Sequence, residues 1–205
     1  LDHLKAQKIG SVCLSEMNAM VAVHETKIND PIGIFYVKSK NLVIIHAISN
    51  VAKLEWKIAS GIEDLAKMLS AKEIISVEGV GSLMKNEEPA VYYYSKRNAK
   101  KLENLGIQQL KEGVVMGVTA ALLVKVEKIP MSCIFAETST GLPDSRAAAR
   151  VINVLDKYLK LKIDTKPLLK KAEQFESKLK TIMKTTEQAK QAKEQKDQEQ
   201  VDYFG

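Results

Sequence analysis

The first half of the chain alternates short apolar, β-branched runs with polar breaks. Residues 9–14, 20–23, 32–37 and 42–47 each read as strands, separated by Asn, Asp, Pro or Gly. Asn29-Asp30-Pro31 has the composition of a hairpin-like turn. The period then lengthens. Leu54, Ile58, Ile62, Leu65 and Leu69 recur every three to four residues, which predicts a helix with one apolar face. Residues 73–77 read as a short buried strand and Gly79-Val80-Gly81-Ser82 as the turn after it. Residues 90–95 form the next strand, with Tyr92, Tyr93 and Tyr94 alternating across it. A polar helix over 98–105 should stop at Gly106, where a left-handed residue costs little. Residues 113–126, apolar and rich in small side chains, predict a helix packed closely on a sheet. Residues 131–137 are a strand, and Thr138 begins its outgoing loop. Pro143-Asp144 opens a helix carrying Ala148, Val151, Ile152, Leu155 and Leu159, since Pro fits a first turn and a carboxylate favours the positive helix end. Strands alternating with helices predict an α/β fold with a mainly parallel sheet flanked by helices on both faces.

From Asp164 the chain changes character. Asp164-Thr165-Lys166-Pro167 reads as a helix start, and Leu168, Ala172, Phe175, Leu179 and Ile182 follow in steps of four and three, a short apolar seam. Packing of this seam on the chain's own domain is at least as well supported as a coiled coil between subunits. Beyond Met183 the seam dissolves into a stretch of Lys, Glu, Gln, Thr, Asp and Ala with no side to bury. The organisation is therefore a core domain over 1–163, a C-terminal helix over 164–183, packed on the core or on a neighbouring subunit, and a polar tether over 184–205. The tether ends in Val201-Asp202-Tyr203-Phe204-Gly205, two adjacent aromatics after a polar run.

Composition narrows the classes. The 205 residues are 45% hydrophobic and 27% charged, with a formal net charge of +6. Lysines are spread along the whole chain, and the arginines are Arg97, Arg146 and Arg150 alone. A nucleic-acid binder concentrates basic and aromatic residues on one surface, so the expectation is no nucleic-acid partner. No run reaches the roughly 18 apolar residues of a membrane span, and no secretory leader is legible. Cys13 and Cys133 each sit in an apolar run, outside any CxxC pair. They read as small buried hydrophobes in a reducing, cytoplasmic setting.

Candidate chemistry is sparse. Gly79 and Gly81 follow a strand, where α/β folds place ligand crevices, but no GxGxxG or GK[ST] accompanies them, so a structural turn is favoured over an anion loop. Glu137, Thr138 and Asp144 lie at another strand's outgoing end and offer two carboxylates and a hydroxyl to a small molecule. A capped helix start explains them more simply, because no partnering His, Lys or metal set is legible. His3, His24 and His46 are scattered, no HExxH or GxSxG occurs, and neither a metal nor a cofactor is expected. Tyr92–Tyr94 fit core packing and subunit contact equally well.

Several segments carry a resemblance. Ala71-Lys72-Glu73-Ile74-Ile75-Ser76, Leu102-Glu103-Asn104-Leu105-Gly106-Ile107, Glu112-Gly113-Val114-Val115-Met116-Gly117, Ala136-Glu137-Thr138 and Gly141-Leu142-Pro143-Asp144-Ser145-Arg146-Ala147-Ala148-Ala149 occur in order. With Ile163-Asp164 and Pro167-Leu168-Leu169-Lys170-Lys171-Ala172-Glu173, they resemble the archaeal branch of the proteasome assembly chaperone family. The resemblance runs over about 1–176. It implies a nucleoside-phosphorylase-like α/β fold, a homo-oligomeric state and binding to the proteasome 20S α subunits; the apolar surface of Tyr92–Tyr94, of the segment after Gly113 and of the seam after Leu168 adds the expectation of a ring, paired dimer or tetramer. The resemblance also implies a C-terminal hydrophobic–tyrosine–any peptide that inserts between α subunits, placed here at Tyr203, Phe204 and Gly205. Two departures stand out: Phe204 replaces the expected tyrosine, and the strand and Gly-Pro-Gly-type loop that open family members are not in this sequence. A rival class, an ATP-grasp-like enzyme, needs magnesium-binding carboxylates and a phosphate-covering loop, and no convincing set of either is present. An oligomeric scaffold for an unrelated partner is the third class.

Overall fold

A computed structural model of the chain describes residues 1–17, 19–24, 26–81, 89–138, 144–167, 169–170, 174 and 177. Nine strands and four α-helices are assigned among them: β1 (Gln7–Ser11), β2 (Ala22–His24), β3 (Lys27–Asn29), β4 (Ile32–Val37), β5 (Leu42–Ala47), α1 (Glu55–Met68), β6 (Ile74–Gly81), β7 (Val91–Ser95), α2 (Ala99–Glu103), β8 (Gln108–Gln109), α3 (Gly117–Lys125), β9 (Met131–Thr138) and α4 (Ser145–Leu159).

The architecture is mixed α/β. The central sheet has the order β6-β9-β7-β8. β6 runs parallel to β9 and β7 parallel to β8, while β7 and β9 are antiparallel. Parallel pairing is thus expected and found at two of three junctions. The N-terminal half departs from that expectation: β1-β4-β5 form a separate sheet that is antiparallel throughout, and β2 and β3 form a free-standing hairpin. Strand periodicity is blind to direction, so alternation with helices could not separate the two sheets. Asn29-Asp30-Pro31 is consequently not a hairpin turn. The strands on either side of it belong to different sheets, and the chain crosses from one to the other there. Asp30 forms an ion pair with Lys8 of β1, which holds this crossing against the antiparallel sheet.

β9 is the centre of the molecule, buried from Met131 to Ala136. Its alternate residues serve two cores. Cys133 and Phe135 pack with Ala59 of α1 and with Ala121 and Leu122 of α3. Ile134 and Ala136 pack on the other face with Ala147, Val151 and Val154 of α4. Helices therefore cover both faces, as a largely buried strand requires. Tyr93 is buried and its neighbours Tyr92 and Tyr94, on the opposite face, are half-buried against α1 and α3. Glu63 of α1 pairs with Lys67 at 2.8 Å and approaches Lys125 of α3 at 3.8 Å, tying the two helices together.

Local chemistry explains most boundaries. Gly106 has φ of 77°, the left-handed turn anticipated after α2. Asp144 is the N-cap of α4 and accepts a hydrogen bond from the Ala147 N–H at 2.9 Å. Ala148, expected on the apolar face of α4, is exposed, and Ala147 and Ala149 are buried instead. Helix α3 begins at Gly117 and not at Gly113: residues 110–116 lie outside any helix or strand, and Leu110 and Val115 among them pack on the core. Cys133 is buried as anticipated, whereas Cys13 lies beyond the end of β1 and is exposed. At 164–170 the Asp164 carboxylate accepts from the Lys166 N–H at 3.0 Å, and Lys166, Pro167, Leu169 and Lys170 are helical. The seam residues Leu168, Ala172, Phe175, Leu179 and Ile182 and the tether over 184–205 lie outside the described residues.

Candidate functional site

The expected small-molecule loops resolve differently from their sequence reading. Gly79 and Gly81 are not turn residues. They continue β6, paired with Ala136 and Thr138 of β9 in unbroken register. The pairing with β9 carries the strand through both glycines, which local propensity alone would have ended. Gly79 has a packing role: a Cβ there would stand 3.0 Å from Thr138 Cγ2 and 3.4 Å from Thr138 Oγ1. Thr138 in turn donates to the Val80 carbonyl at 3.4 Å.

Glu137 and Thr138 point to opposite faces of the sheet. Glu137 lies on the α1–α3 side, where the Tyr92 hydroxyl donates to its Oε1 at 3.1 Å. That bond, with lesser help from burial, raises the Tyr92 pKa. Asp144 caps α4, whose buried residues pack on the other face. Glu137 thus holds Tyr92 on one side of the sheet, and Asp144 starts the helix that covers the other. Ser82, Ser139, Thr140, Gly141, Leu142 and Pro143, which complete these loops, lie outside the described residues, as do Tyr203, Phe204 and Gly205.

One polar row escaped the sequence reading. Ser76 and Glu78 of β6 face α3, and the Ser76 and Thr119 hydroxyls are 2.5 Å apart. Burial raises the Glu78 pKa, partly opposed by a hydrogen bond from Thr119. Next to it the Cys133 thiol is pushed up to about 12, first by burial and then by the Glu78 charge. A thiol held that high is no nucleophile at neutral pH. The visible clue was a lone carboxylate inside the β-branched run Ile74–Val80. A second row lies at the opposite end of the sheet. The Glu73 carboxylate accepts from Ser132 Oγ at 2.5 Å and from the Tyr158 hydroxyl, while Ser132 also reaches Ser95 Oγ at 3.0 Å. This row joins β7, β9 and α4.

Two clefts lie beside β7 and α3. A cleft of about 200 Å³ is lined by Tyr94, Leu110, Lys111, Glu112, Val115 and Leu123. A smaller one of about 40 Å³ shares Tyr94 and Leu123 and reaches Pro130 and Met131, where β9 begins. Among the described residues no group of three or more His, Cys, Asp or Glu is placed to hold a metal ion, and no helix is long and apolar enough to cross a membrane. His3, His24 and His46 fall in a 3-10 turn, β2 and β5, apart from both polar rows.

The sheet is packed on both faces, and the polar rows described join its strands to α3 and α4. The chain belongs to the PAC2 family, whose model matches residues 1–183. Its fold is similar to that of Pyrococcus furiosus PbaA, described as an archaeal homolog of proteasome-assembly chaperone, with a TM-score of 0.79 and 29% identity over 92% of this chain and 85% of that one. Pyrococcus furiosus PbaB, described as an archaeal proteasome activator, matches with a TM-score of 0.74 and 18% identity over 89% of this chain and 84% of that one, a likeness of fold alone. An uncharacterised protein of Methanocaldococcus jannaschii, MJ0106, is 28% identical over 148 residues, 70% of this chain and 61% of that protein's length.

Proposed function

We propose that this chain is a proteasome assembly chaperone or an ATP-independent proteasome activator that works as a homo-oligomer in the cytoplasm. The observation that carries this reading is the match to PbaA, in which fold and 29% sequence identity extend over 92% of the chain. Membership of the PAC2 family supports it. A nucleoside-phosphorylase-like fold belongs to the same proposal and brings no chemistry with it.

Contact with the 20S α-ring is assigned to Tyr203, Phe204 and Gly205. The tether over 184–200 carries Lys184, Lys190, Lys193 and Lys196 against Glu187, Glu194, Asp197 and Glu199. These charges cancel, so the tether is a spacer and not a one-signed arm. Phe204 entering an apolar pocket between α subunits contributes about 1.5–3 kcal/mol if fully buried. Several tails on one oligomer then sum weak single contacts through effective concentration. ATP turnover has no place in this mechanism.

The test is capture of 20S particles by the full chain and by a chain lacking Tyr203, Phe204 and Gly205, with fluorogenic-peptide cleavage as the second readout. Loss of capture on truncation, with mass and melting unchanged, is the expected result. Equal capture and equal activation by both chains would sink the docking mechanism. Magnesium-dependent ATP hydrolysis that disappears in Glu137→Gln and Asp144→Asn chains would replace it with the enzyme class.

A further inference from the structure

One edge of α4 carries positive charge along its length. Arg146, Arg150 and Lys157 are exposed, and with Asn153 they fall at steps of four, three and four residues. At about 100° per residue, those steps set all four side chains in one narrow arc, beside the buried face of Ala147, Val151 and Val154. Lys160 closes the helix and is exposed. The Lys40 ammonium joins it from the turn between β4 and β5, donating to the Lys160 carbonyl at 3.1 Å. Two of the chain's three arginines lie on this edge.

The carboxylates near the edge are engaged elsewhere. Asp144 accepts from the Ala147 N–H, Asp156 from the Ile163 N–H and Asp164 from the Lys166 N–H. Glu73 receives the Tyr158 and Ser132 hydroxyls. The row also runs against the preference of the helix itself. A positive charge in the first turn faces the positive end of the helix dipole, and like charges four residues apart repel. Arg146 does the first and, with Arg150, the second. Helix stability does not call for these residues, and a negatively charged partner does.

We propose that this edge of α4 is a docking strip for an Asp- and Glu-rich segment of another protein. It is separate from the C-terminal peptide and does not depend on the reading above. Guanidinium groups hold carboxylates in bidentate pairs, which suits them to such a segment. From Arg146 to Lys157 the strip is about 16 Å long, the reach of about five residues of extended chain. The same chemistry favours protein over nucleic acid. A single-strand binder lines a basic groove with stacking aromatics. Here the charges stand on a helix edge, and the one aromatic of α4, Tyr158, gives its hydroxyl to Glu73.

Fluorescence anisotropy of the full chain tests it, with a labelled glutamate peptide of about ten residues, long enough to cover the strip extended or helical. The wild type should bind at about 0.01 M salt, and more weakly at about 0.15 M, as the Debye length falls from about 30 to about 8 Å. R146E/R150E should bind about tenfold more weakly or worse, with an unchanged melting temperature, since both side chains are exposed. If it melts early, R146Q/R150Q supplies the comparison and should also bind more weakly than the wild type. K53E/K111E makes the same change of charge on exposed lysines beside α1 and α3, across the sheet from α4, and should stay within about twofold. No binding by the wild type overturns the inference, as does wild-type affinity in R146E/R150E or an equal loss in K53E/K111E. An oligothymidine strand of the same length that binds more tightly than the peptide, and is lost in R146E/R150E, gives the strip to nucleic acid instead. A chain lacking Tyr203, Phe204 and Gly205 should bind the peptide as the wild type does, so failure of the tail to capture 20S particles leaves the strip standing.

Discussion

The hydroxyl of Tyr158, near the end of α4, lies 2.9 and 3.0 Å from the two carboxylate oxygens of Glu73, the residue directly before β6. Eighty-five residues separate the two in sequence. The contact fastens α4 to the sheet at the end opposite its Asp144 cap. Tyr158→Phe should therefore lower stability by about 1–2 kcal/mol, in the range for a partly exposed hydrogen bond to a charged group. Urea unfolding followed by far-UV circular dichroism measures it. An unchanged midpoint would show that the bond contributes nothing net.

The same contact sets an alkaline limit. The Tyr158 pKa is raised to about 12 by burial first and by Glu73 second, and that of Cys133 to about 12 by burial. Both groups are neutral when protonated, and both hold their protons more tightly in the folded chain. Their contribution is complete below their unfolded values, about 10 for Tyr and 8.5 for Cys, and is lost as pH rises towards 12. The unfolding midpoint should fall between pH 9 and 12, by a smaller amount in Tyr158→Phe. A flat profile in that window would contradict the assignment.

Glu78 gives the opposite experiment at acid pH. Its pKa is raised, chiefly by burial, so its contribution is present below the unfolded value, about 4.3, and is lost as pH rises through the folded value. Above the folded value the buried charge is a cost. Glu78→Gln should raise the unfolding midpoint at pH 7, and the gain should shrink towards zero as the pH falls below 4. A variant less stable than wild type at pH 7 would mean that the charge is used at the start of α3.

Gly79 and Thr138 form a packed pair across β6 and β9. Gly79→Ala should destabilise by about 1–3 kcal/mol, the usual cost of overpacking, although alanine normally improves a strand. Thr138→Ser removes the methyl group nearest the new Cβ. The double variant should recover part of the loss, a coupling read by a double-mutant cycle. Additive effects would show that Thr138 moves aside freely.

Asp144→Ala removes the α4 cap and should cost about 0.5–2 kcal/mol, with Asp144→Asn largely retaining stability. Equal losses in the two would point to the charge and away from the hydrogen bond.

If the tail docks as proposed, Phe204→Tyr supplies the hydroxyl of the expected hydrophobic–tyrosine–any peptide. It should strengthen capture of 20S particles by the full chain while leaving mass and melting unchanged. Unaltered or weaker capture would separate this tail from the family's docking geometry.

Apolar runs and periodicity located β4, β5, α1, β9 and α4 within a residue or two, because each is set by side chains close in sequence. The Asp144 cap and the left-handed Gly106 were equally legible, since both depend on neighbours within three positions. Strand direction was not legible, nor the split into an antiparallel and a mixed sheet, because side-chain alternation is the same in both. Gly79 and Gly81 became strand because β9, more than fifty residues downstream, pairs with them throughout. Glu78 was placed against Thr119, and Glu137 against Tyr92, only when the strands and helices came together. Local patterns follow from the chemistry of adjacent residues. Which polar groups meet depends on long-range pairing, and that is settled by how the whole sheet closes over its two cores.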